Sequence, residues 1–555
     1  MPHTTSQQGQ TQQVNIIIDP VAPGGAAERE VGFSIPDQYN ASRILFDNLT
    51  RGNGARIAVW SSFGNLTYAQ LAAQACRAGN LLLSLGATRG ERVLLLLNDT
   101  PAYPAFLYGA IRAGLVPVLL NTLTPPDLVQ FYLQDAGAKI IVVDSSISSL
   151  ISPEATNDTA LNTLISVNGA AHVSHVATID FDEIAKDLSP DLDEADTHKN
   201  EMAFWMYSSG STGRPKGIVH LQHDMAYTIA TYSNEILKLK PDDICFSVPK
   251  IFFAYGCGNS VVFPFAVGAS TALLAGRPDA KAIFETIEAF RPTVFFGVPT
   301  VYTTLTKAQD AAHADLSSLR LCLSAAEVLS ADVFNAWKNK TGLEIIEGLG
   351  STEVLHIYLS NTASDKRLGS AGKRVPGYDV KLVDRDGHDI GDAEEGIMWV
   401  RGQSNTPFYW NKPDKTADTM RGDWINTNDR FAVDKDGFYY FRGRADDFIK
   451  ISGQWVYPLE VELCLANHPA VHEVAVLAFE LPDRRMTLKA FVVRMDSAQA
   501  MSESELRKVL QDYVKTTLMP HKYPREVEFV ESLPKTGTNK IDRQELFKRG
   551  LSRQD

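Results

Sequence analysis

The segment from Tyr207 to Gly217, YSSGSTGRPKG, concentrates hydroxyl side chains, glycines and two cations. Backbone N–H groups near glycines, together with hydroxyl groups, can donate to phosphate oxygens, and a lysine adds positive charge. A P-loop would read G-x-x-x-x-G-K-[ST] and open a helix, whereas the apolar runs AFWMY and IVH on either side predict strands. We therefore predict a phosphate-binding loop of another type, rather than a flexible Ser/Gly surface turn. Its candidate residues are Ser208, Ser209, Gly210, Ser211, Thr212, Gly213 and Lys216.

Five further short strings contain charged residues beside glycines or small residues. They are SAAE (324–327), GLGSTE (348–353), TNDR (427–430), GRADDFIKISG (443–453) and PKTGTNKID (534–542). Taken singly, their charges would be solvated carboxylates, a surface ion pair or a loop lysine. Together with the first segment, they resemble, in order, the motifs of the adenylate-forming superfamily, which comprises acyl-CoA synthetases, adenylation domains and luciferases. The resemblance extends from about residue 35 to about residue 548, and six motifs in order make it specific.

The resemblance implies an ATP site. In it, the 208–216 loop holds the β- and γ-phosphates, Glu353 binds Mg²⁺, and Thr352 touches the α-phosphate. Asp429 accepts hydrogen bonds from the ribose hydroxyls, and Arg444 donates to them. These residue types suit the reaction, because a carboxylate attacks phosphorus poorly while both carry negative charge. The other residues implied to surround the nucleotide are Ala325, Ala326, Glu327, Gly348, Leu349, Gly350 and Ser351.

The resemblance also implies a mobile C-terminal domain that acts in two steps. Lys540 neutralises charge between the substrate carboxylate and the α-phosphate during adenylation. Asp446 is the pivot about which the small domain turns, and Lys450 and Gly453 lie on the CoA side. The implied catalytic residues are thus Lys540, Glu353, Thr352 and Lys216.

Three positions depart from the family pattern. Leu349 stands where many members carry an aromatic residue, so adenine would meet an apolar face instead of a stacked ring. Asn428 and Asn539 replace the usual glycines before Asp429 and Lys540. Asparagine adopts positive φ more readily than most non-glycine residues, so we expect both turns to be retained.

The acid that is activated is predicted from two stretches, KIFFAYGCGNS (250–260) and VLHIYLSN (354–361), which resemble those of benzoate-CoA ligases. Aromatic side chains offer flat apolar walls for a ring, a small residue leaves room beside them, and a histidine can donate to a carboxylate or a ring substituent. The alternative is that these are core aromatics and a packing histidine. The candidate substrate-binding residues are Phe253, Ala254, Tyr255, Gly256 and His356.

Relatives that activate amino acids place an aspartate in the first of these stretches, and Ala254 stands at the matching position. Because a buried ammonium without a partner is costly, an α-amino acid is disfavoured. The compact FFAYG sequence also disfavours a long fatty acid. Benzoate or a small substituted benzoate is therefore expected; hydroxy-, amino- and halobenzoates and a saturated ring acid stay open.

We interpret the chain as an ATP-dependent aryl-CoA ligase that uses ATP, Mg²⁺ and CoA and acts through an acyl-adenylate. One alternative is a stand-alone adenylating enzyme that loads a carrier protein in trans. Another is a non-catalytic adenylate-binding protein, which the joint presence of Glu353 and Lys540 disfavours. The expected partners are small molecules, with no nucleic acid and no membrane, and the protein is expected to be a monomer or homodimer.

The elements that position these motifs alternate between strands and helices. Apolar runs at 92–99 and 138–144 and the VPVLLN run between them predict strands, and PAYPAFLYGAIRAG and PDLVQFYLQDAG predict the intervening helices. This rhythm predicts parallel sheets covered by helices. We expect a flexible tail at 1–34, a large α/β domain of several sheets at 35–445, and a small mobile α+β domain at 446–555.

Composition fits this interpretation. A chain of 555 residues is too long to fold around one ordinary hydrophobic core, so at least two domains are expected. The net charge of −13 repels nucleic acid and anionic lipid. Five scattered cysteines indicate neither a disulfide framework nor a metal site, and favour a reducing, cytoplasmic compartment. The uncharged run from Ile251 to Gly276 is long enough to span a bilayer, but its glycines and proline predict a buried helix followed by a buried strand.

Overall fold

The computed structural model describes most of the chain. The described residues are 30–171, 173–208, 214–308, 314–327, 329–384, 387–391, 395–445, 449–451, 454–481, 485–495, 498, 501–518, 520–535 and 541–551. The chain divides into two compact units, the first made of Met1–Val380 and Val400–Ile425 and the second of Lys381–Trp399 and Asn426–Asp555. The expected tail lies outside the described residues up to residue 29, and the expected boundary at 445/446 stays a prediction.

The first unit contains two large sheets. Their strands, in chain order, are β1 (Ile57–Ser61), β2 (Leu66–Thr67), β3 (Arg92–Leu96), β4 (Val116–Leu119), β5 (Ile140–Asp144), β6 (Thr163–Val167), β7 (Ala177–Asp180), β8 (Met202–Ser208), β9 (Lys216–Leu221), β10 (Ile244–Ser247), β11 (Ser270–Leu273), β12 (Val294–Gly297), β13 (Leu321–Ser324), β14 (Ile345–Gly350), β15 (Ile357–Ser360) and β16 (Lys373–Arg374).

The seven-stranded sheet has the order β7-β6-β5-β3-β4-β8-β9. Its strands are parallel except for the β8–β9 hairpin at one edge. The apolar runs of β3 and β5 are almost entirely buried, as expected for strands covered on both faces. The parallel arrangement predicted from the 92–144 region is thus confirmed.

The nine-stranded sheet has the order β16-β15-β14-β13-β12-β10-β11-β1-β2. Its central strands are parallel, and the pairs at its two edges are antiparallel. Strands β14 and β15 form a hairpin, so the chain turns back sharply between residues 351 and 356. The C-terminal edge of the parallel strands and this hairpin carry several of the predicted site residues.

Helices cover both sheets. The α-helices of the first unit are Arg43–Thr50, Tyr68–Ser84, Ala102–Arg112, Pro126–Ala136, Pro153–Thr156, Phe181–Ile184, Asp224–Thr228, Ala254–Cys257, Phe263–Val267, Ala280–Phe290, Pro299–Lys307, Ala331–Thr341 and Pro413–Thr419, with 3₁₀-helices at Ser145–Leu150 and Ala185–Asp187 and π-helices at Ile229–Leu237 and Gly258–Val262. The uncharged run at 251–276 forms short buried helical segments followed by β11, as predicted. No helix in the described part of the chain has the length and hydropathy needed to cross a bilayer.

The remaining strands form three small sheets. A five-stranded sheet contains β17 (Asp379–Val383), β18 (Glu395–Arg401), β19 (Met420–Arg421), β20 (Trp424–Val433) and β21 (Tyr439–Arg444); β22 (Ile449–Ile451) pairs with β23 (Gln454–Val456); and β24 (Val471–Glu480), β25 (Met486–Arg494) and β26 (Glu526–Phe529) form a three-stranded sheet. The helices of the second unit are Pro458–Ala466, Glu503–Thr517 and Arg543–Leu551, with a 3₁₀-helix at Pro520–Lys522. A capping box formed by Ser502 and Glu505 opens the Glu503–Thr517 helix.

Candidate active site

The β8–β9 hairpin holds both ends of the predicted phosphate loop. Ser208, the last residue of β8, is paired with Lys216, the first residue of β9. The antiparallel register therefore fixes the lysine next to the point where the loop begins. Residues 209–213, which include Ser209, Gly210, Ser211, Thr212 and Gly213, lie outside the described residues.

The β14–β15 hairpin presents Glu353. A Cβ at Gly350 would lie 2.3 Å from the carbonyl oxygen of His356, so only glycine allows the two strands to approach this closely. The backbone N–H of Leu355 donates to the carbonyl oxygen of Thr352 over 3.0 Å, which closes a tight turn around Glu353. Leu355 has φ of 71°, a left-handed conformation that is strained for a leucine.

Glu353 contacts both a phenol and a lysine. The hydroxyl of Tyr409 donates to Glu353 Oε1 over 2.9 Å, and Lys216 Nζ lies 3.6 Å from the same oxygen. The lysine also lies 4.1 Å from the centre of the Tyr409 ring. The structure thus brings the predicted phosphate-binding lysine and the predicted metal-binding carboxylate together.

Tyr409 was not found by sequence reasoning. Its segment lies beside β9, since Tyr409 forms an isolated bridge with Ile218 and the N–H of Trp410 donates to the carbonyl oxygen of Gly217 over 2.8 Å. The N–H of Thr406 donates to the carbonyl oxygen of Glu353 over 2.7 Å. The aromatic residues at 408–410 gave only a weak indication of a functional site, because the residues that they contact lie far away in the chain.

The predicted adenine-side residues follow the C-terminal end of β13. Ala325 is buried, Glu327 is half-buried, and Ala326 has φ of 73°, a conformation that L-residues seldom adopt. Ser324 and Glu347 are paired across β13 and β14, so the SAAE and GLGSTE motifs leave neighbouring parallel strands. Gly348, Leu349 and Gly350 continue β14, and Ser351 follows it.

Glu347 is a buried carboxyl group beneath this edge. Burial raises its pKa to about 8, and a hydrogen bond of 3.0 Å from the backbone N–H of Leu329 opposes the rise. The side chain therefore stays protonated at neutral pH. It connects β14 to Leu329, two residues after the SAAE segment, without adding a negative charge near the predicted nucleotide-binding residues.

The predicted acid pocket brings Tyr255 and His356 together. Their ring centres are 5.5 Å apart, and Phe263 and Tyr232 lie 4.6 Å and 5.1 Å from the histidine ring. Gly258 allows this packing, because a Cβ there would lie 2.5 Å from His356 Cδ2. The pocket residues predicted at the start of the same segment are Phe253, which packs on Phe252, Ala254, which is buried, and Gly256, where a Cβ would lie 2.0 Å from the carbonyl oxygen of Lys250.

The pocket contains polar groups as well as rings. Burial lowers the pKa of His356 to about 3, and a backbone contact from Tyr255 offsets only part of this shift, so the imidazole is neutral at working pH. Among the described residues, no group makes a hydrogen bond of normal geometry with either ring nitrogen, nor with the Tyr255 hydroxyl, the Asn259 amide or the Ser260 hydroxyl. These buried donors and acceptors can bind polar atoms of a ligand.

The second unit contains the two predicted ribose residues. Asp429 and Arg444 are paired across β20 and β21, and Arg444 Nη1 donates to Asp429 Oδ1 over 3.1 Å. Asn428 has φ of 58°, so the turn that usually contains glycine is retained, as expected. Lys450 lies on β22, while Asp446, Gly453, Asn539 and Lys540 lie outside the described residues.

The chain belongs to the AMP-binding enzyme family. The profile of this family matches residues 46–410, and the profile of the AMP-binding enzyme C-terminal domain matches residues 460–540. The resemblance inferred from the six motifs is therefore confirmed. The individual roles of the site residues remain predictions.

Two relatives within this enzyme family are named as benzoate–CoA ligases and align with almost the whole chain. The chain is 40% identical to benzoate–CoA ligase of Thauera aromatica over 92% of its length and 96% of the relative's. It is 36% identical to 4-hydroxybenzoate–CoA/benzoate–CoA ligase of Rhodopseudomonas palustris, covering 91% of this chain and 93% of that one.

Solved structures agree with the fold. An anthranilate CoA ligase bound to anthranoyl-AMP superposes with a TM-score of 0.87 at 36% identity, covering 94% of this chain and 99% of that one. A benzoate CoA ligase from Burkholderia xenovorans LB400 gives a TM-score of 0.83 at 36% identity, covering 92% and 99%. The predicted fold class, a large α/β domain of several sheets with a small α+β domain, is confirmed.

Proposed function

We propose that this protein is an AMP-forming aryl-CoA ligase that converts benzoate or a small substituted benzoate, ATP and CoA into the aryl-CoA thioester, AMP and diphosphate. The proposal rests on the position of one short turn, which connects β14 to β15. It presents Glu353, beside Lys216, on one side and His356, beside Tyr255, on the other. A nucleotide phosphate bound near Glu353 and an acid bound near His356 would therefore meet.

In the first step, a carboxylate oxygen of the acid attacks the α-phosphorus of ATP. A new P–O bond forms, the bond to the β-phosphate bridging oxygen breaks, and diphosphate leaves with the electron pair. Lys216 and the 208–216 loop hold the leaving phosphates, and Thr352 contacts the α-phosphate. Lys540 neutralises the charge between acid and phosphate.

Glu353 suits Mg²⁺, which protein sites commonly bind through one or two carboxylates together with phosphate oxygens and water. Its carboxylate is partly exposed, with 18% of the side chain accessible, and is oriented by Tyr409. When bound, the ion neutralises negative charge on the phosphates. Lys216, the first residue of β9, makes the same kind of contribution.

In the second step, the CoA sulfur attacks the carbonyl carbon of the acyl-adenylate. A C–S bond forms, the C–O bond to AMP breaks, and the thiol proton passes to solvent. Diphosphate has already left, so the 208–216 loop serves only the first step. Lys540 belongs to the first step as well, and the small domain turns about Asp446 to place Lys450 and Gly453 on the CoA side.

The pocket supports an aromatic acid. Tyr255, Phe253 and Phe263 provide apolar surface, His356 is neutral, and Ala254 stands where an ammonium group would require a carboxylate. The buried polar groups of Tyr255 and Asn259 favour acids that carry a hydroxyl or amino substituent. The proposal extends to a cytoplasmic location and to a monomer or homodimer.

An ATP–diphosphate exchange assay over a panel of ring acids tests the adenylation step. Benzoate-type acids should drive exchange much better than octanoate or phenylalanine, and free CoA should then give the thioester. If octanoate were preferred tenfold, which is about 1.4 kcal/mol in specificity, the aryl assignment would be wrong. Exchange without thioester formation would instead favour the carrier-protein alternative.

A further inference from the structure

A buried histidine connects the phosphate-loop hairpin to the turn that carries Glu353. His220 lies on β9, and its ring is fully buried and stacked on Phe204 at 5.3 Å. Its Nε2 lies 2.8 Å from the carbonyl oxygen of Thr352. Because a carbonyl oxygen can only accept, Nε2 must be protonated and must donate to Thr352.

Asp224 fixes the other side of this ring. Its Oδ2 lies 2.8 Å from His220 Nδ1 and accepts from the N–H of Leu221 over 3.0 Å. Its Oδ1 lies 3.3 Å from Nε2 of His223. The carboxylate is thus buried between two imidazoles, and the orientation of His220 is set by a short, fully buried hydrogen bond.

His223 extends the same cluster to a second loop. Its Nδ1 and Nε2 each lie 2.8 Å from a carbonyl oxygen, of Lys199 and Gln403 respectively. The chain just after Gln403 also contacts the Glu353 turn, since Ser404 Oγ donates to the carbonyl oxygen of Val354 over 2.8 Å. The 220–224 segment, HLQHD, therefore anchors both sides of that turn.

The turn requires such support. Leu355 is buried and left-handed, and its N–H donates to the same Thr352 carbonyl oxygen that accepts from His220. Strained backbone persists only where its surroundings hold it in place. On one side of Leu355 lies Glu353, and on the other lies His356, so a change in this turn displaces residues on both the phosphate side and the acid side.

We propose that His220 is a positioning residue for adenylation, which holds the Thr352 carbonyl so that the Glu353 turn keeps the geometry needed for attack on the α-phosphate. The inference rests on the proposed function of the site. It assigns His220 no contact with substrate. It predicts a much larger defect in the first half-reaction than in the second, because diphosphate leaves before CoA attacks.

Two substitutions separate the hydrogen bonds of this ring. In His220→Gln, the side-chain amide can reach the position of Nε2 and still donate to Thr352. In His220→Asn, the shorter amide reaches only the position of Nδ1, toward Asp224. We expect His220→Asn to lose at least tenfold in kcat/KM for ATP–diphosphate exchange with a rise in the Mg²⁺ concentration required, and His220→Gln to stay within about threefold of the parent.

Thioester formation from supplied acyl-adenylate and CoA is measured on the same samples, and both variants should retain it within about threefold. Gln222→Leu is the matched control, because Gln222 is equally buried two residues away and accepts from the N–H of Ala41 instead. It should leave exchange nearly unchanged. Thermal unfolding of each variant shows whether it is folded.

The proposal is overturned if His220→Asn exchanges as fast as His220→Gln, or if both half-reactions fall in proportion. Should His220→Asn not fold, the Mg²⁺ dependence of His220→Gln decides: an unchanged requirement supports the proposal, and a requirement raised as strongly as that of Glu353→Gln overturns it. A parent protein that shows no exchange with any ring acid would count against the proposed function itself.

Discussion

The hydroxyl of Tyr409 donates to Glu353 Oε1 over 2.9 Å, across 56 residues of sequence. The same ring lies 4.1 Å from Lys216 Nζ. One phenol thus orients a carboxylate through its hydroxyl and a cation through its face. The carboxylate and the cation proposed to bind a metal ion and phosphate are thus both held by one aromatic side chain.

Tyr409→Phe tests the first of these contacts. It keeps the ring and removes the hydroxyl, so Glu353 loses its orienting donor while Lys216 keeps its aromatic neighbour. A hydrogen bond to a charged group contributes about 1.5–3 kcal/mol, so we expect a loss of about tenfold or more in ATP–diphosphate exchange. KM for the aryl acid should change little. Tyr409→Leu, which removes ring and hydroxyl, should be worse; equal rates for Tyr409→Phe and the parent protein would show that this hydrogen bond does not matter.

Ala254→Leu tests where the ring of the acid lies. Ala254 is buried in the short helix that leads to Tyr255, and overpacking a formed pocket costs about 1–3 kcal/mol. The KM for benzoate should rise about five- to a hundredfold, and the KM for ATP should stay nearly constant. An equal rise in both would mean that Ala254 packs the core and does not face the acid. Steady-state exchange kinetics with each substrate varied in turn make the comparison.

Asp446→Pro and Lys540→Ala separate the two half-reactions. Proline fixes φ near −65° and removes an N–H, so it should hinder rotation of the small domain without altering the adenylation chemistry. We expect Asp446→Pro to keep substantial diphosphate exchange and to lose most thioester formation. Lys540→Ala should lose adenylation yet convert supplied acyl-adenylate. If two well-folded variants lost both activities equally, the two-position mechanism would have no support; circular dichroism checks the folding.

Glu347 predicts a pH dependence of stability. Burial raises its pKa from 4.5 to about 8, so between these values the folded chain keeps a proton that the unfolded chain has lost. Stability therefore falls as pH rises, by at most about 1.4 kcal/mol per pH unit from this group. Glu347→Gln removes the titration and keeps an acceptor for Leu329. The unfolding free energy of the parent should fall more steeply than that of the variant from pH 5 to 8; parallel slopes would contradict the assignment.

Local patterns in the sequence predicted the parts of the fold and site that depend on neighbouring residues. The glycine and asparagine positions are an example: Asn428 was expected to tolerate positive φ and adopts 58°. The apolar runs of β3 and β5 likewise indicated buried parallel strands. In these cases, the residue's own steric limits or its immediate periodicity determine the structure.

Other features depend on contacts that no local pattern encodes. Tyr409 and Glu353 meet only because the loop before the Pro413–Thr419 helix lies against β9. His220 and Thr352 meet because β9 of one sheet lies against the turn between β14 and β15 of the other. The left-handed Leu355 could not be foreseen, since leucine disfavours that conformation and adopts it only under the surrounding contacts.

The pairing of β1 with β11 has a consequence for biosynthesis. Val59, Trp60 and Ser61 pair in parallel with residues 271–273, while the strands of the seven-stranded sheet all lie between 92 and 221. On a ribosome adding 5–20 residues per second, β1 emerges about 10–40 s before its parallel neighbour is made. The second sheet can thus form fully only after the first has been synthesised, and during that interval β1 is an apolar strand edge available to chaperones or to other nascent chains.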